Sequence, residues 1–329
     1  MHNIGPQDSL KVPRFCGVAT YMRLPYTRDL EGVDVAVVGL PFDTGSPYRV
    51  GCRFGPRAIR QASVLLRPFN PYHDLDVFKE ISVVDYGDSI VQPGETEPSF
   101  ERMDECLVDI VKAGVIPLGF GGDNAVTYPE LKAMGETHGP ISVLHFDAHT
   151  DTWGNYFGQR HNAGTAYRRA VEDGYVDATK SIQAGMRGSL FAPSDITQSL
   201  DLGYEVITTD RIFEMGIDKL AAHIMKKLAG RKVFLSLDLD IVDPAFAPGV
   251  QIPEVGGLSA REILSLIRRL RGLNIVGADV VECNPMYDNA EITALLAATI
   301  GAEILALIAA YKVDSRGSRE SRTAGAATA

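Results

Sequence analysis

Asp147, His149 and Asp151 stand at alternate positions of the segment DAHTD, and Asp238 and Asp240 repeat that spacing in SLDLDIVDP. An extended backbone sends alternate side chains to one face. The spacing therefore predicts that each segment presents its acidic groups together, with Leu237 and Leu239 facing the other way. His145, just ahead of the first segment, is read as facing away from the set and as structural. Carboxylates gathered at the ends of apolar runs repel one another and resist desolvation unless something neutralises them. A cation is the natural partner. Oxygen donors with imidazole suit Mn²⁺, and nickel, zinc and iron accept the same donors. A single Asp-x-Asp would more simply be a turn or a helix cap, but two such clusters, each following a hydrophobic run, favour a metal.

The elements that must position these residues are short β-branched runs, each followed by a helix-like stretch, which is the rhythm of βαβ units on a parallel sheet. Strands are expected at 35–40, 81–85, 115–120, 142–146, 182–186, 204–208, 233–239 and 275–281. Their near-continuous apolar character implies burial on both faces. Apolar residues recurring at three and four predict helices over 100–112, 128–134, 212–228, 260–271 and 292–310, and Ser259 with Glu262 reads as a capping box. Open sheets of this kind place ligands beyond the carboxyl ends of their strands. GGDN at 121–124, DAHTD and SLDLDIVDP all fall there.

The 329 residues are enough for one large domain. We divide the chain into an irregular N-terminal arm over residues 1–30, a single α/β domain over 31–313, and a tail over 314–329 expected to be disordered because it has little to bury. A formal net charge of −10 disfavours nucleic acid and anionic membrane as partners. The four cysteines lack a Cys-x-x-Cys pair, and the N-terminus has no charged segment leading into an apolar run. Both features are those of a reduced, cytoplasmic protein.

The motifs GGD at 121–123, DAHTD at 147–151 and SLDLDIVDPAFAPG at 236–249 resemble the three metal signatures of the ureohydrolases, the arginase and agmatinase family. Segments 38–63, 83–88 and 278–285 are similar to agmatinase and guanidinobutyrase sequences in particular. The resemblance implies a three-layer α/β/α fold, doubly wound on a mainly parallel eight-stranded sheet, and a homo-oligomer, a trimer or hexamer. It implies two divalent ions, Mn²⁺ or alternatively Ni²⁺, bridged by Asp147 and Asp238. His149 and Asp240 would complete one site, and Asp151 would serve the other and pass a proton. A metal-bridging hydroxide would attack a small guanidino compound, with Glu282 paired to the guanidinium, releasing urea and an amine.

Two positions depart from the family pattern. Asn124 stands where similar enzymes carry a metal-ligating histidine, so it is expected to be a weak ligand of a loosely filled site. Ala163 stands where they carry a loop histidine, and His161, two residues earlier, is either a displaced substitute or a loop residue facing solvent. An alternative function follows from these losses: a non-catalytic or regulatory subunit of a hetero-oligomer with a paralogous chain, for example of a nickel-dependent biguanide hydrolase type. Arg53, Arg57 and Arg60 are assigned to a loop-and-helix element near a subunit interface.

Overall fold

The computed structural model describes residues 3–326. Eight strands form one parallel sheet: β1 Val35–Leu40, β2 Val83–Asp88, β3 Ile116–Gly121, β4 Ser142–Phe146, β5 Ile182–Met186, β6 Glu205–Thr208, β7 Lys232–Asp238 and β8 Asn274–Val281. Their order across the sheet is β2-β1-β3-β8-β7-β4-β5-β6. Helices cover both faces, which makes the three-layer α/β/α architecture expected of the sequence. Alternate residues of one strand accordingly enter two separate cores: Val35 and Val37 pack into one, Ala36, Val38 and Leu40 into the other. Burial on both faces explains why the strand sequences are continuously apolar.

Three expected strands coincide with the observed ones, and the others shift by a few residues at their ends. Two helices differ more. The periodic stretch 212–228 divides into Thr209–Met215 and Ile217–Leu228, because Gly216 at φ 78° leaves the helical region and breaks the hydrogen-bond ladder. The last helix, Ile292–Ala326, runs through the segment read from composition as a tail. By length and composition its part Ile292–Gly317 could cross a membrane, but 78% of the apolar window is buried within the domain, as befits a core helix. In the arm, Tyr21 is anchored inside the domain: its amide donates to Asp85 at 2.7 Å and its hydroxyl to the Ala298 carbonyl at 2.8 Å. Arg60 is likewise internal, pairing with Asp85 and Asp88, and Arg53 pairs with Asp43, so neither guanidinium faces outward unpaired.

The central strands β3, β8, β7 and β4 are neighbours, and their carboxyl ends carry GGDN, Glu282, Asp238 and DAHTD respectively. Close approach at this edge depends on Gly122, where an added Cβ would lie 1.6 Å from the Phe42 carbonyl oxygen. The Gly122 carbonyl also receives the Glu282 amide at 2.9 Å, so this glycine ties β3 to β8 beside the site. Gly122→Ala should therefore lower folding stability by at least about 3 kcal/mol, read from its denaturant midpoint.

Candidate metal centre

The acidic residues converge, but not by strand alternation. β4 ends at Phe146 and β7 at Asp238, so Asp147, His149, Asp151 and Asp240 all lie on turns beyond the strands. Asp238 closes its own turn by accepting the Asp240 amide at 2.8 Å, and Leu239–Ile241 forms a 3-10 turn that carries Asp240 back toward β4. There one Asp240 oxygen accepts the Ala148 amide at 2.9 Å while the other meets His149 Nδ1 at 2.9 Å. Asp147 accepts the His149 amide at 2.5 Å, a turn the side chain makes with its own backbone. Asp151 at φ 50° and Glu282 at φ 68° occupy the left-handed region, a cost met at residues whose orientation is imposed by their surroundings.

Potential ligand atoms of Asp147, His149 and Asp240 lie within 4.8 Å of one another. Asp238, Asp151 and Glu282 line the same cavity, of about 790 Å³. Burial and the facing charge of Asp240 push the Asp147 carboxyl up to about 8. Burial with Asp147 raises Asp151 to about 7, and burial with Asp240 and Asp147 raises Asp238 strongly. Burial opposes a charge on His149, yet the carboxylates of Asp240 and Asp147 outweigh it and push its pKa up. With only protein groups to balance the site, protons do the work that a cation would do, so this donor set fits a divalent ion.

The Asn124 side of the cluster fits a metal poorly. Its amide nitrogen donates to Asp151 Oδ2 at 2.5 Å and lies 3.4 Å from Asp147 Oδ2. Its oxygen, the only atom that could ligate, accepts the Thr127 hydroxyl at 2.8 Å. Asn124 thus meets the carboxylates as a hydrogen-bond donor rather than as the ligand expected of it. Ala163 lines the cavity and carries no proton, whereas His161 is absent from the lining. Its ring packs instead on Phe100 and Tyr128, with centroids 5.5 and 4.9 Å away, so it stands half-buried on the loop rather than beside the carboxylates.

Several supporting residues were missed or misread in the sequence. His145, expected to face away, contacts Asp147 Oδ2 through Nε2 at 2.8 Å. Burial lowers its pKa to about 4, so it is neutral; the Gln183 amide donates to Nδ1 at 3.0 Å, which leaves the proton on Nε2 to donate to Asp147. The shared odd parity of 145 and 147 carried that signal. Cys52 points its thiol at Glu282 Oε2 at 3.5 Å, while the Asn124 backbone amide donates to Oε1 at 2.7 Å. Gln251 sits fully buried at the cavity wall with both amide atoms unpartnered. No motif marked it.

Comparison with known proteins agrees with this geometry. The sequence profile of the arginase family matches residues 33–307. Agmatinase of Chromobacterium violaceum is 42% identical over 305 residues, covering 91% of this chain and 91% of that protein. Guanidinopropionase of Pseudomonas aeruginosa is 38% identical, over 92% of this chain and 96% of its own length. Among solved structures, proclavaminate amidino hydrolase of Streptomyces clavuligerus superposes with a TM-score of 0.88 at 39% identity, covering 91% of this chain and 99% of that one.

Raised carboxyl pKa values make stability depend on pH. In the folded chain Asp147 and Asp151 hold protons up to about 8 and about 7, against an unperturbed 3.8, so the folded state binds more protons between those limits. Their contribution is present in acid and lost as the pH rises through the folded values. After chelation the melting temperature should fall between about pH 5 and pH 8 from this cause, and excess divalent metal should remove the fall, as scanning calorimetry will test. Substituting Asn124→His should raise the metal bound per chain, measured by elemental analysis.

Proposed function

Since the chain belongs to the arginase family, we propose that it is a metal-dependent amidinohydrolase cleaving a small guanidino compound to urea and an amine. One observation carries the reading: ligand atoms of Asp147, His149 and Asp240 lie within 4.8 Å of one another, and His149 and Asp240 line a cavity that Asp151, Asp238 and Glu282 also line. These three residues with Asp238 would hold a divalent ion, Mn²⁺ or Ni²⁺ by donor type, and the amide contacts of Asn124 favour a second ion only weakly. Bound there, such an ion polarises the substrate and lowers the pKa of a coordinated water from 15.7 toward about 7.

The chain's own residues supply orientation and proton transfer. Glu282, buried and held by the Asn124 backbone amide and the Cys52 thiol, offers a carboxylate to the guanidinium. Gln251 has an unpartnered amide oxygen for a further guanidinium N–H. Asp151, lining the cavity beside the cluster and held by the Asn124 side-chain amide, is placed both to receive a proton from the attacking water and to deliver it to the leaving nitrogen. Water oxygen bonds to the guanidinium carbon as one water proton passes to Asp151, the bond from that carbon to the substituted nitrogen breaks as that nitrogen takes the proton from Asp151, and the remaining O–H proton is released as urea forms and is taken up by the amine, which leaves as ammonium. The names of the relatives span guanidino acids and agmatine, so likeness leaves the substrate's tail open.

A second reading rests on Ala163 and Asn124. Without a cavity histidine at 163, and with amide hydrogens aimed at Asp151, the chain would suit a regulatory subunit whose paralogous partner carries the chemistry. The isolated chain, loaded with Mn²⁺ or Ni²⁺, distinguishes the two. Urea release from guanidino compounds, abolished to below about 10⁻³ of its rate by Asp147→Asn and raised by Ala163→His by about 10²-fold, is the outcome expected of a hydrolase. Metal binding without urea from any compound would assign the chain to the subunit role.

A further inference from the structure

We propose that the outer part of the cavity is a receptor for an alkylated cation, formed by Trp153, Tyr156 and Phe191 with Asp195. It would select guanidino compounds whose far end is a methylated ammonium rather than a carboxylate. The identity of the near end rests on the amidinohydrolase reading; the receptor itself does not.

These four residues line both the main cavity and an adjoining one of about 340 Å³, so a ligand tail leaving the centre passes among them. The Trp153 centroid lies 4.8 Å from Tyr156 and 5.8 Å from Phe191, at interplanar angles of 44° and 57°. Rings tilted in this way do not stack flat on one another; Tyr156 packs also on Phe157, 4.2 Å away, so the ring surface left open is chiefly that of Phe191. Phe191 is 82% exposed, an apolar ring held against the opening without a protein partner to cover it.

The box is fixed in advance. The Trp153 amide donates to the Gly164 carbonyl at 3.0 Å, and a Cβ at Gly164 would lie 2.9 Å from the indole, so the glycine admits the ring. Arg168 donates to the Thr152 carbonyl at 2.6 Å and Arg169 to the Gly154 carbonyl at 3.0 Å, which pins the segment on both sides of the indole to the helix Ala166–Glu172. Asp195 accepts the Phe191 amide at 2.8 Å and so holds the third ring while adding negative charge.

Charge decides the kind of tail. Apart from His149 in the centre, Arg187 is the one cation among the residues lining the main cavity. Its five N–H groups all go to main-chain carbonyls, those of Val255, Gly185, Ile241, Asp240 and Glu254. A carboxylate tail would find no free cationic donor and would face Asp195, Asp210 and Glu254. A primary ammonium is strongly hydrated and asks for acceptors that ring faces do not provide. A methylated ammonium is weakly hydrated and is attracted by aromatic faces and a nearby carboxylate.

Trp153 is the sole tryptophan, so its fluorescence reports this subsite without requiring turnover. The metal-loaded full chain is titrated with three compounds that share a guanidino group and alkyl chain and end in trimethylammonium, ammonium or carboxylate. The trimethylammonium compound should bind about tenfold more tightly than the ammonium compound and about a hundredfold more tightly than the carboxylate. Phe191→Ala, at an exposed position that folding does not need, should reduce the first preference to threefold or less, roughly the loss of one ring face. Equal or tighter binding of the carboxylate compound, or a preference unchanged in Phe191→Ala, would overturn the receptor. Urea assays on the same compounds separate the two claims. The expected binding order without urea sinks the hydrolase and keeps the receptor, whereas urea chiefly from the carboxylate compound sinks the receptor and keeps the hydrolase.

Discussion

Mutual repulsion among desolvated carboxylates is the constraint around which this molecule is arranged. Asp147, Asp238, Asp240 and Glu282 are all buried at one edge of the sheet, and burial alone would drive each toward its neutral form. Backbone amides, the His149 imidazole and the Asn124 amide meet part of this charge. The remainder is what a divalent ion would answer. A chain that keeps such a cluster accepts reduced stability in return for a donor set that fits a cation, the trade seen wherever function sets the local chemistry.

The rest of the fold serves this edge. Four adjacent parallel strands bring GGDN, Glu282, Asp238 and DAHTD to one line, although these segments are spread over more than a hundred residues of sequence. Behind them, the chain from Gln183 through His145 to Asp147 fixes a tautomer and an orientation from within the sheet. Arg187 gathers the carbonyls of two loops around the cavity and spends its donors on structure. The site is thus built from inside outward, rigid at the strand ends and aromatic at the opening.

How much of this was legible in the sequence depended on whether the signal was local. The runs at 35–40, 142–146 and 182–186 declare strands because they are short, apolar and bounded, and the Ser259–Glu262 capping box is closed as expected. Gly216 was equally local but was overridden by the periodicity around it. The residue types of the centre were also visible, since aspartates and a histidine following apolar runs ask for a cation. Their means of convergence was not. Period-two alternation applies within a strand, and the chain leaves the strand one residue before Asp147, so turns and positive φ angles do the aiming. The direction of the Asn124 amide depends on Thr127 and Asp151, and the position of His161 on Phe100 and Tyr128; such contacts exist only after folding.

The anchoring of Trp153 bears on how such a protein changes over generations. The segment around the indole is held by Gly164 and by two arginines of the helix Ala166–Glu172, whose Tyr167 also supports Asp151 and His145, while the Phe191 amide is held by Asp195 at the start of another helix. Replacements at 153, 156 or 191 therefore leave the strand ends where they are. A lineage with this architecture can vary the rings at the opening through a few loop substitutions while inheriting its buried carboxylate cluster intact.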